Sequence, residues 1–377
     1  MNDLPDILEI KPLPKAPNCT VTVPGSKSIT NRALILAALS DKKCTLRGAL
    51  WADDTQVMVD SLQKLGFDVK VLPDDAEPCN RTIEVVGRGG EIPAKTAELY
   101  VGNAGTAARF LTALVCLGHG EYRISGDARM HERPMGEIFR ALGIEGEHLP
   151  VMVHATGMKP SRVRVSGEES SQFASALLLT GHEVETEPNA YIEMTRAMMK
   201  AFTPGYAIEP DLSSASYFVA AGWMSGGRMQ IAGWPSKSLQ VDGRFPEFLP
   251  PPATVSRLVD LGDSVMTLAV CASFGKQAMK LTEASRMREQ ECDRIHAMVT
   301  EFQRVGAKVE EHDDGFTVWP AKAGQLHGAD IETYNDHRMA MSFSVLGLKV
   351  PGIRIKNPAC VSKTFPNFFD KLEQLRR

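Results

Sequence analysis

Six segments of this chain are apolar on nearly every face, and an amphipathic segment follows each of them. The apolar ones are RALILAAL (32–39), AARFLTALVCL (107–117), SQFASALLL (171–179), ASYFVAAGWM (215–224), SVMTLAVCASF (264–274) and HRMAMSFSVLGL (337–348). Their Ala, Leu and Met content favours helix over buried strand, and the lack of a polar face predicts helices buried all round. Five of them run on into strand-like stretches: CTLRGAL, YRISGD, RMQIAG, MKLTEAS and IRIKNPA. The amphipathic partners start near residues 54, 133, 195, 243, 293 and 364, the fourth (DGRFPEFL) being a weak copy. Polar residues return to one face of each, as on a helix half in water. Six alternations of this kind, with strands between helices, predict an α/β architecture made of duplicated units.

The repetition is not even. Between MMKAF and the next buried helix there is only TPGYAIEPD, where other units have room for two strands. FPEFLPPPATVSRLVDLGD places three consecutive prolines where strand ends are expected, and proline cannot donate to a ladder. The chain is therefore abbreviated around residues 180–262.

Composition narrows the partners. Hydrophobic residues make up 43% and charged residues 23% of 377, a globular balance rather than a disordered one. The length suits two large α/β domains. A formal net charge of −4 and the absence of aromatic stacking motifs argue against a nucleic-acid binder, so an anionic partner must be met by local Arg and Lys clusters. The cysteines, Cys19, Cys44, Cys79, Cys116, Cys271, Cys292 and Cys360, are odd in number, scattered and without a CxxC pair. Neither a disulfide framework nor a structural zinc site is expected. No apolar run reaches the ~18–20 residues of a membrane span, and residues 1–15 lack the apolar core of a signal peptide. The expectation is a soluble protein of a reducing compartment.

Reactive side chains gather at the starts of the buried helices: Gly25-Ser26-Lys27-Ser28, Gly102-Asn103-Ala104-Gly105-Thr106, Ser170-Ser171-Gln172, Ser213-Ser214, Asp263 and Asn335-Asp336-His337-Arg338. Ser, Asn and Asp there serve equally well as ordinary helix caps. Capping does not explain Lys27 and Arg338, since cations are disfavoured at helix N-termini. They make sense beside a row of positive helix ends if an anionic ligand lies among them. Arg109, Arg129, Arg133, Arg294 and Lys363 add cations suited to carboxylate or phosphate.

These segments carry a family resemblance. PGSKSITNRALILAAL, LYVGNAGTAARFLTAL, SGDARMHERPMG, SSQFASALL, QECDRIHAM, TYNDHRMAMSFSV and CVSKTFPNFF together resemble the 5-enolpyruvylshikimate-3-phosphate synthase family, from about Lys11 to Leu375. SKS, SSQ and the closing CxxKTFP look like this branch rather than the related UDP-N-acetylglucosamine enolpyruvyl transferases. The resemblance implies a two-domain inside-out α/β barrel, each domain holding three β-α-β-α-β-β units, here shortened around the fourth. The domains expected are 1–22 with 208–377, carrying the phosphoenolpyruvate-side residues and the catalytic Asp and Glu, and 23–207 on the shikimate 3-phosphate side. It further implies a cytoplasmic, monomeric enzyme without metal or organic cofactor, which transfers the enolpyruvyl group of phosphoenolpyruvate to the 5-hydroxyl of shikimate 3-phosphate on domain closure.

Roles carry over by position. Lys27 would touch both substrates and assist catalysis, and Ser28, Arg32, Ser170, Ser171 and Gln172 would bind shikimate 3-phosphate. Asn103, Gly105, Arg129, Gln172, Arg294, Arg338 and Lys363 would surround phosphoenolpyruvate. A Cβ at position 105 would intrude on backbone that approaches the ligand, and Gly105 implies inhibition by glyphosate-like mimics. Asp263 would accept the 5-hydroxyl proton, Glu291 would donate a proton, and His337 would assist phosphate release. Without the resemblance, Glu291 reads as an ordinary helix salt bridge. Four positions depart from the family: Gln290 stands where lysine is usual, Arg286 where asparagine is, Pro188 where a phosphate-binding serine is, and Phe110 where proline is more common. The first departure, with the shortening, keeps open a second reading, a weak homologue that folds and binds ligand without efficient turnover.

Overall fold

The computed structural model describes residues 4–166 and 170–376. The chain divides into two compact units, a central unit of Pro24–Glu209 and a terminal unit of Met1–Val23 with Pro210–Arg377. In the terminal unit the chain opens with β1 (Ile7–Glu9) and β2 (Asn18–Val21).

The central unit holds three repeats. The first runs α1 (Lys27–Leu39), β3 (Lys43–Leu50), α2 (Asp53–Lys64), β4 (Asp68–Pro73) and β5 (Asn80–Val86). The second follows as β6 (Thr96–Tyr100), α3 (Gly105–Cys116), β7 (His119–Ser125), α4 (Ala128–Glu132), α5 (Gly136–Ala141) and β8 (Val151–Thr156). The third comprises β9 (Arg162–Arg164), α6 (Ser171–Leu179), β10 (Glu183–Glu185) and α7 (Ala190–Ala201). Helices α1, α3 and α6 pack on one another, and all twelve residues of α3 are buried. The strands lie outside them, alternating exposed and buried positions, as in the exposed-buried-exposed pattern of β10. This is the inside-out arrangement. It follows from helices with no polar face, which can only be covered by other elements.

The terminal unit repeats the scheme. It contains α8 (Leu212–Ser225), β11 (Arg228–Ile231) and a 3-10 turn at Val241–Phe248, then β12 (Thr254–Ser256), α9 (Val265–Ala272) and β13 (Met279–Thr282). α10 (Arg294–Arg304), β14 (Val309–His312), β15 (Gly315–Val318), β16 (Asp330–Ile331), α11 (His337–Gly347), β17 (Arg354–Lys356) and α12 (Phe368–Gln374) complete it. Helices α8, α9 and α11 form the inner set. Tyr217 and Phe218 of α8 meet Phe368 of α12 at ring-centroid distances of 5.6 and 6.1 Å. All six apolar segments are thus helical. The weak amphipathic copy DGRFPEFL is not an α-helix but a 3-10 turn, with Pro246 inside it removing a backbone donor.

The abbreviation is visible in the sheets. The sheet β12-β13-β15-β14 has four strands, and β3-β5-β4, β6-β7-β8 and β1-β17-β16 have three. Only two strands make up β9-β10 and β2-β11, each a parallel pair. These belong to the third and fourth repeats. TPGYAIEPD contributes isolated bridge residues, among them Ala207 opposite Arg47, instead of strands, and β12 begins two residues after the proline run.

Candidate active site

In the central unit, three helix starts present the expected residues. Ser26 caps α1 by accepting from the Ile29 amide, so Lys27 sits on the first turn, where the dipole opposes a cation. Its Nζ is held instead by Asp54 of α2 at 3.0 Å, with side chains 14% and 5% exposed. Asp54 was legible only as a helix start; two acids, Asp53 and Asp54, open α2 where capping needs one.

One turn further along α1, Arg32 is 2% exposed. Its fork donates to the Thr195 hydroxyl at 2.7 Å, the Ser175 hydroxyl at 3.1 Å and the Ser28 and Tyr191 carbonyls at 2.9 and 3.3 Å. Its guanidinium lies 5.4 Å from the Phe110 ring centroid, so the departure at 110 supplies an aromatic face to a buried cation. Burial pulls Arg32 down to about 10, against an opposing contribution from Tyr191. It stays charged at neutral pH.

At α3 the surroundings of the glycine are crowded by side chains. A Cβ on Gly105 would stand 2.4 Å from Arg133 Nη2 and 2.8 Å from Arg109 Nη1. Two guanidinium groups occupy the space beside it. Arg133 donates to the carbonyl and the side-chain oxygen of Asn103, both at 3.1 Å, and Arg109 donates to the Pro134 carbonyl at 2.7 Å. Gln172, on the first turn of α6, donates to Thr106 at 3.3 Å, which brings the starts of α6 and α3 together. Ser170 caps α6, accepting from the Gln172 amide at 3.3 Å, and Ser171 is buried beside it. Arg129, on α4, turns to Glu132 at 2.8 Å.

The terminal unit gathers its residues into one ionic network. Asp263 Oδ2 accepts from Arg338 at 2.7 Å and Oδ1 from Arg257 at 2.8 Å, with Arg294 at 3.8 Å. Arg294 also holds Glu291 at 2.9 Å and Asp336 at 2.7 Å, and donates to the Gln290 side-chain oxygen Oε1 at 2.6 Å. Gln290 therefore meets Arg294 where a lysine would have repelled it. Burial alone would lower Arg294, but Asp336, Glu291 and Asp263 hold it well above its ordinary value. Arg338 is likewise pulled down by burial and raised overall, chiefly by Asp263. Burial lifts Tyr217, beside Arg338, to about 12, and pushes the Cys292 thiol up, with Asp336 adding to it.

Asp336 caps α11 by accepting from the Arg338 amide at 2.8 Å, so one carboxylate both starts the helix and anchors Arg294. Tyr334 and Asn335, just before it, have φ of 53° and 54°, a left-handed turn that is costly without glycine. His337 is fully buried, its Nδ1 3.6 Å from Asp336. Lys363 ends a 3-10 turn, Pro358–Lys363, that packs on α11. Sequence reasoning did not single out Arg257 or the anchoring role of Asp336; a doubled Asp-cation pattern around NDHR is the signal that was available for the latter.

The model of the family described as EPSP synthase (3-phosphoshikimate 1-carboxyvinyltransferase) matches residues 14–204, 181–248 and 252–372. A 3-phosphoshikimate 1-carboxyvinyltransferase of Nostoc punctiforme is 37% identical, over 98% of this chain and 99% of its own length. The chain belongs to the EPSP synthase family. A relative of the same description from Aliivibrio salmonicida is 36% identical over 98% of this chain and 99% of its own. The alignment with the Nostoc relative spans 430 positions against 377 residues here, so members of the EPSP synthase family carry segments that this chain lacks. The fold agrees with solved structures: EPSP synthase of Acinetobacter baumannii superposes with a TM-score of 0.74 at 22% identity, covering 98% of both chains. The enolpyruvyl transferase NikO of Streptomyces tendae gives 0.72 at 16% identity, over 98% and 97%.

Proposed function

We propose that this protein transfers the enolpyruvyl group of phosphoenolpyruvate to the 5-hydroxyl of shikimate 3-phosphate, releasing phosphate. The observation that carries this is the bridging of two carboxylates, Asp263 and Glu291, by Arg294 at 3.8 and 2.9 Å. Addition of a hydroxyl across an enol ether needs a base for the hydroxyl proton and an acid for the methylene carbon. In this reading Asp263 takes the proton as the oxygen bonds to C2 of phosphoenolpyruvate, and Glu291 delivers one to C3. The C2–O bond to phosphate then breaks as a proton leaves the new methyl group, restoring the double bond.

Substrate charge has matching cations. Arg32, buried among hydroxyls and carbonyls with no carboxylate in ion-pair reach among the described residues, suits an anionic group of shikimate 3-phosphate, with Ser28, Ser170 and Ser171. Asn103, Gly105, Arg129, Gln172, Arg338 and Lys363 are assigned to phosphoenolpyruvate, and His337 to the departing phosphate. Lys27 is given both substrates, with Asp54 as its counter-ion before they arrive. The central unit (expected as 23–207, on the shikimate 3-phosphate side) carries residues assigned to both substrates, and the terminal unit supplies the acid and base. No helix among the described residues is long and apolar enough to cross a membrane; the reading adds a cytoplasmic monomer needing no cofactor.

Phosphate release measured with both substrates tests the reading. Turnover dependent on each is expected, and Lys27→Met should abolish it while circular dichroism stays unchanged. A folded wild-type protein that releases no phosphate would overturn the proposal, and an active Lys27→Met variant would remove that residue from the site.

A further inference from the structure

Three guanidinium groups meet Asp263, and they are not alike. Arg294 and Arg338 have side chains only 3% and 6% exposed, while that of Arg257 is 17% exposed, against 20% for Asp263 itself. Arg257 uses one nitrogen, Nη2, on Asp263 Oδ1. Its Nε and Nη1 meet no acceptor among the described residues and are not sealed from solvent. A planar fork with one prong fixed and the rest open is suited to a second, incoming oxyanion.

The loop that presents it is firmly built. Strand β12 pairs with β13 up to Ser256, opposite Thr282, and the Arg257 amide continues the ladder to the Thr282 carbonyl at 3.0 Å. Asp260 closes the turn, accepting from the Ser256 amide at 2.9 Å and donating back to the Ser256 carbonyl at 3.1 Å. The Ser256 hydroxyl accepts from the amides of Leu258 and Val259, both at 3.1 Å, and donates to Glu283. On the far side, Asp242 accepts from the Gly262 amide at 2.7 Å and the Ser264 hydroxyl at 2.6 Å. Arg257 is therefore held at both ends of its loop. This loop lies within the stretch matched by the family model, 252–372, but Arg257 belongs to none of the motifs that carry the resemblance.

We propose that Arg257 is a further substrate-binding residue, which keeps one nitrogen on Asp263 and turns the open part of its fork to an anionic group of shikimate 3-phosphate. The inference rests on reading Asp263 as the base for the 5-hydroxyl. The molecule whose hydroxyl would reach that carboxylate carries a phosphate and a carboxylate on the same ring, and either is an oxyanion of the kind such a fork binds.

The test uses the full chain, with Arg257→Gln and Arg257→Lys compared with wild type. Calorimetric affinities for shikimate 3-phosphate and for shikimate are measured beside steady-state constants for both substrates. Arg257→Gln is expected to weaken shikimate 3-phosphate about tenfold or more in Kd and KM, with KM for phosphoenolpyruvate within about twofold. Arg257→Lys, which keeps charge but loses the fork, should recover part of the affinity, and decides the matter if the glutamine variant does not fold. A selective loss for shikimate 3-phosphate over shikimate assigns the phosphate; an equal loss assigns the carboxylate. Unchanged shikimate 3-phosphate affinity, or an equal rise in KM for phosphoenolpyruvate, overturns the inference. Asp263→Asn separates it from its foundation: if that variant turns over normally, the base assignment fails. If it is inactive while Arg257→Gln binds normally, only the role of Arg257 fails.

Discussion

Arg32 and Arg294 are both 2% exposed, yet burial has opposite outcomes for them. Arg32, in the central unit, is surrounded by hydroxyls, carbonyls and an aromatic face, and is lowered to about 10 by desolvation. Arg294, in the terminal unit, is raised well above its ordinary value because three carboxylates outweigh the same desolvation. Depth alone does not decide the state of a buried cation; its counter-ions do. Arg32 has hydroxyl and carbonyl partners but no carboxylate in ion-pair reach among the described residues. Arg294 is already neutralised, and its work is to fix Asp263, Glu291 and Asp336 relative to one another.

Replacement should separate the two sharply. Arg294→Met leaves Glu291 and Asp336 buried without their cation, a loss expected to cost about 3–5 kcal/mol in urea unfolding. Arg32→Met leaves only hydroxyls behind, and Thr195 and Ser175 already bond each other at 2.9 Å. Its cost should be about 1–2 kcal/mol at most, since an uncompensated buried charge leaves with it, while shikimate 3-phosphate binding is lost. Equal destabilisation by the two substitutions would break the comparison.

Gly105→Ala probes the cations whose positions depend on a missing side chain. The new Cβ would meet Arg133 Nη2 at 2.4 Å and Arg109 Nη1 at 2.8 Å. Both contacts are with the ends of flexible side chains, so the backbone can stay while the guanidinium groups move. Alanine also suits a helix better than glycine by roughly 1 kcal/mol, so stability should change little. KM for phosphoenolpyruvate should rise about tenfold, and KM for shikimate 3-phosphate should stay nearly constant. Parallel rises in both constants would mean that the shift spreads beyond this cluster.

The helices were legible in the sequence because apolarity on every face has one solution, and the strand deficit was legible because nine residues cannot hold what TPGYAIEPD was asked to hold. DGRFPEFL was misjudged as a helix, since its amphipathic spacing survives where Pro246 breaks the backbone pattern. Lys27, Arg338 and Asp263 were visible as charges at helix starts. Their neutralisation was not: Asp54 and Arg257 are 27 and 6 residues away from the partners they meet, and only the packing of separate elements joins them. The closeness of Arg133 to Gly105 was not legible, because Arg133 lies on another segment. Arg257 lies outside the motifs that carry the resemblance, so only its contact with Asp263 brings it into view.

His182 gives the finest test of how the central unit treats a buried titratable group without a counter-ion. It is 4% exposed, its Nδ1 lies 3.3 Å from the Thr180 hydroxyl, and Nε2 is buried without a partner among the described residues. Burial lowers it, against a smaller opposing contribution from the Leu177 backbone. The imidazole is therefore neutral in the folded protein at a pH where the unfolded chain, near 6.5, already takes up a proton. Stability is lost as pH falls from about 6.5 towards the lower folded value, because unfolding then binds the extra proton. His182→Gln removes that proton while keeping a polar group for Thr180, so its urea midpoint should fall less than wild type between pH 7 and 5. Identical falls would show that a solvent path or a partner outside the described residues lets His182 charge within the fold.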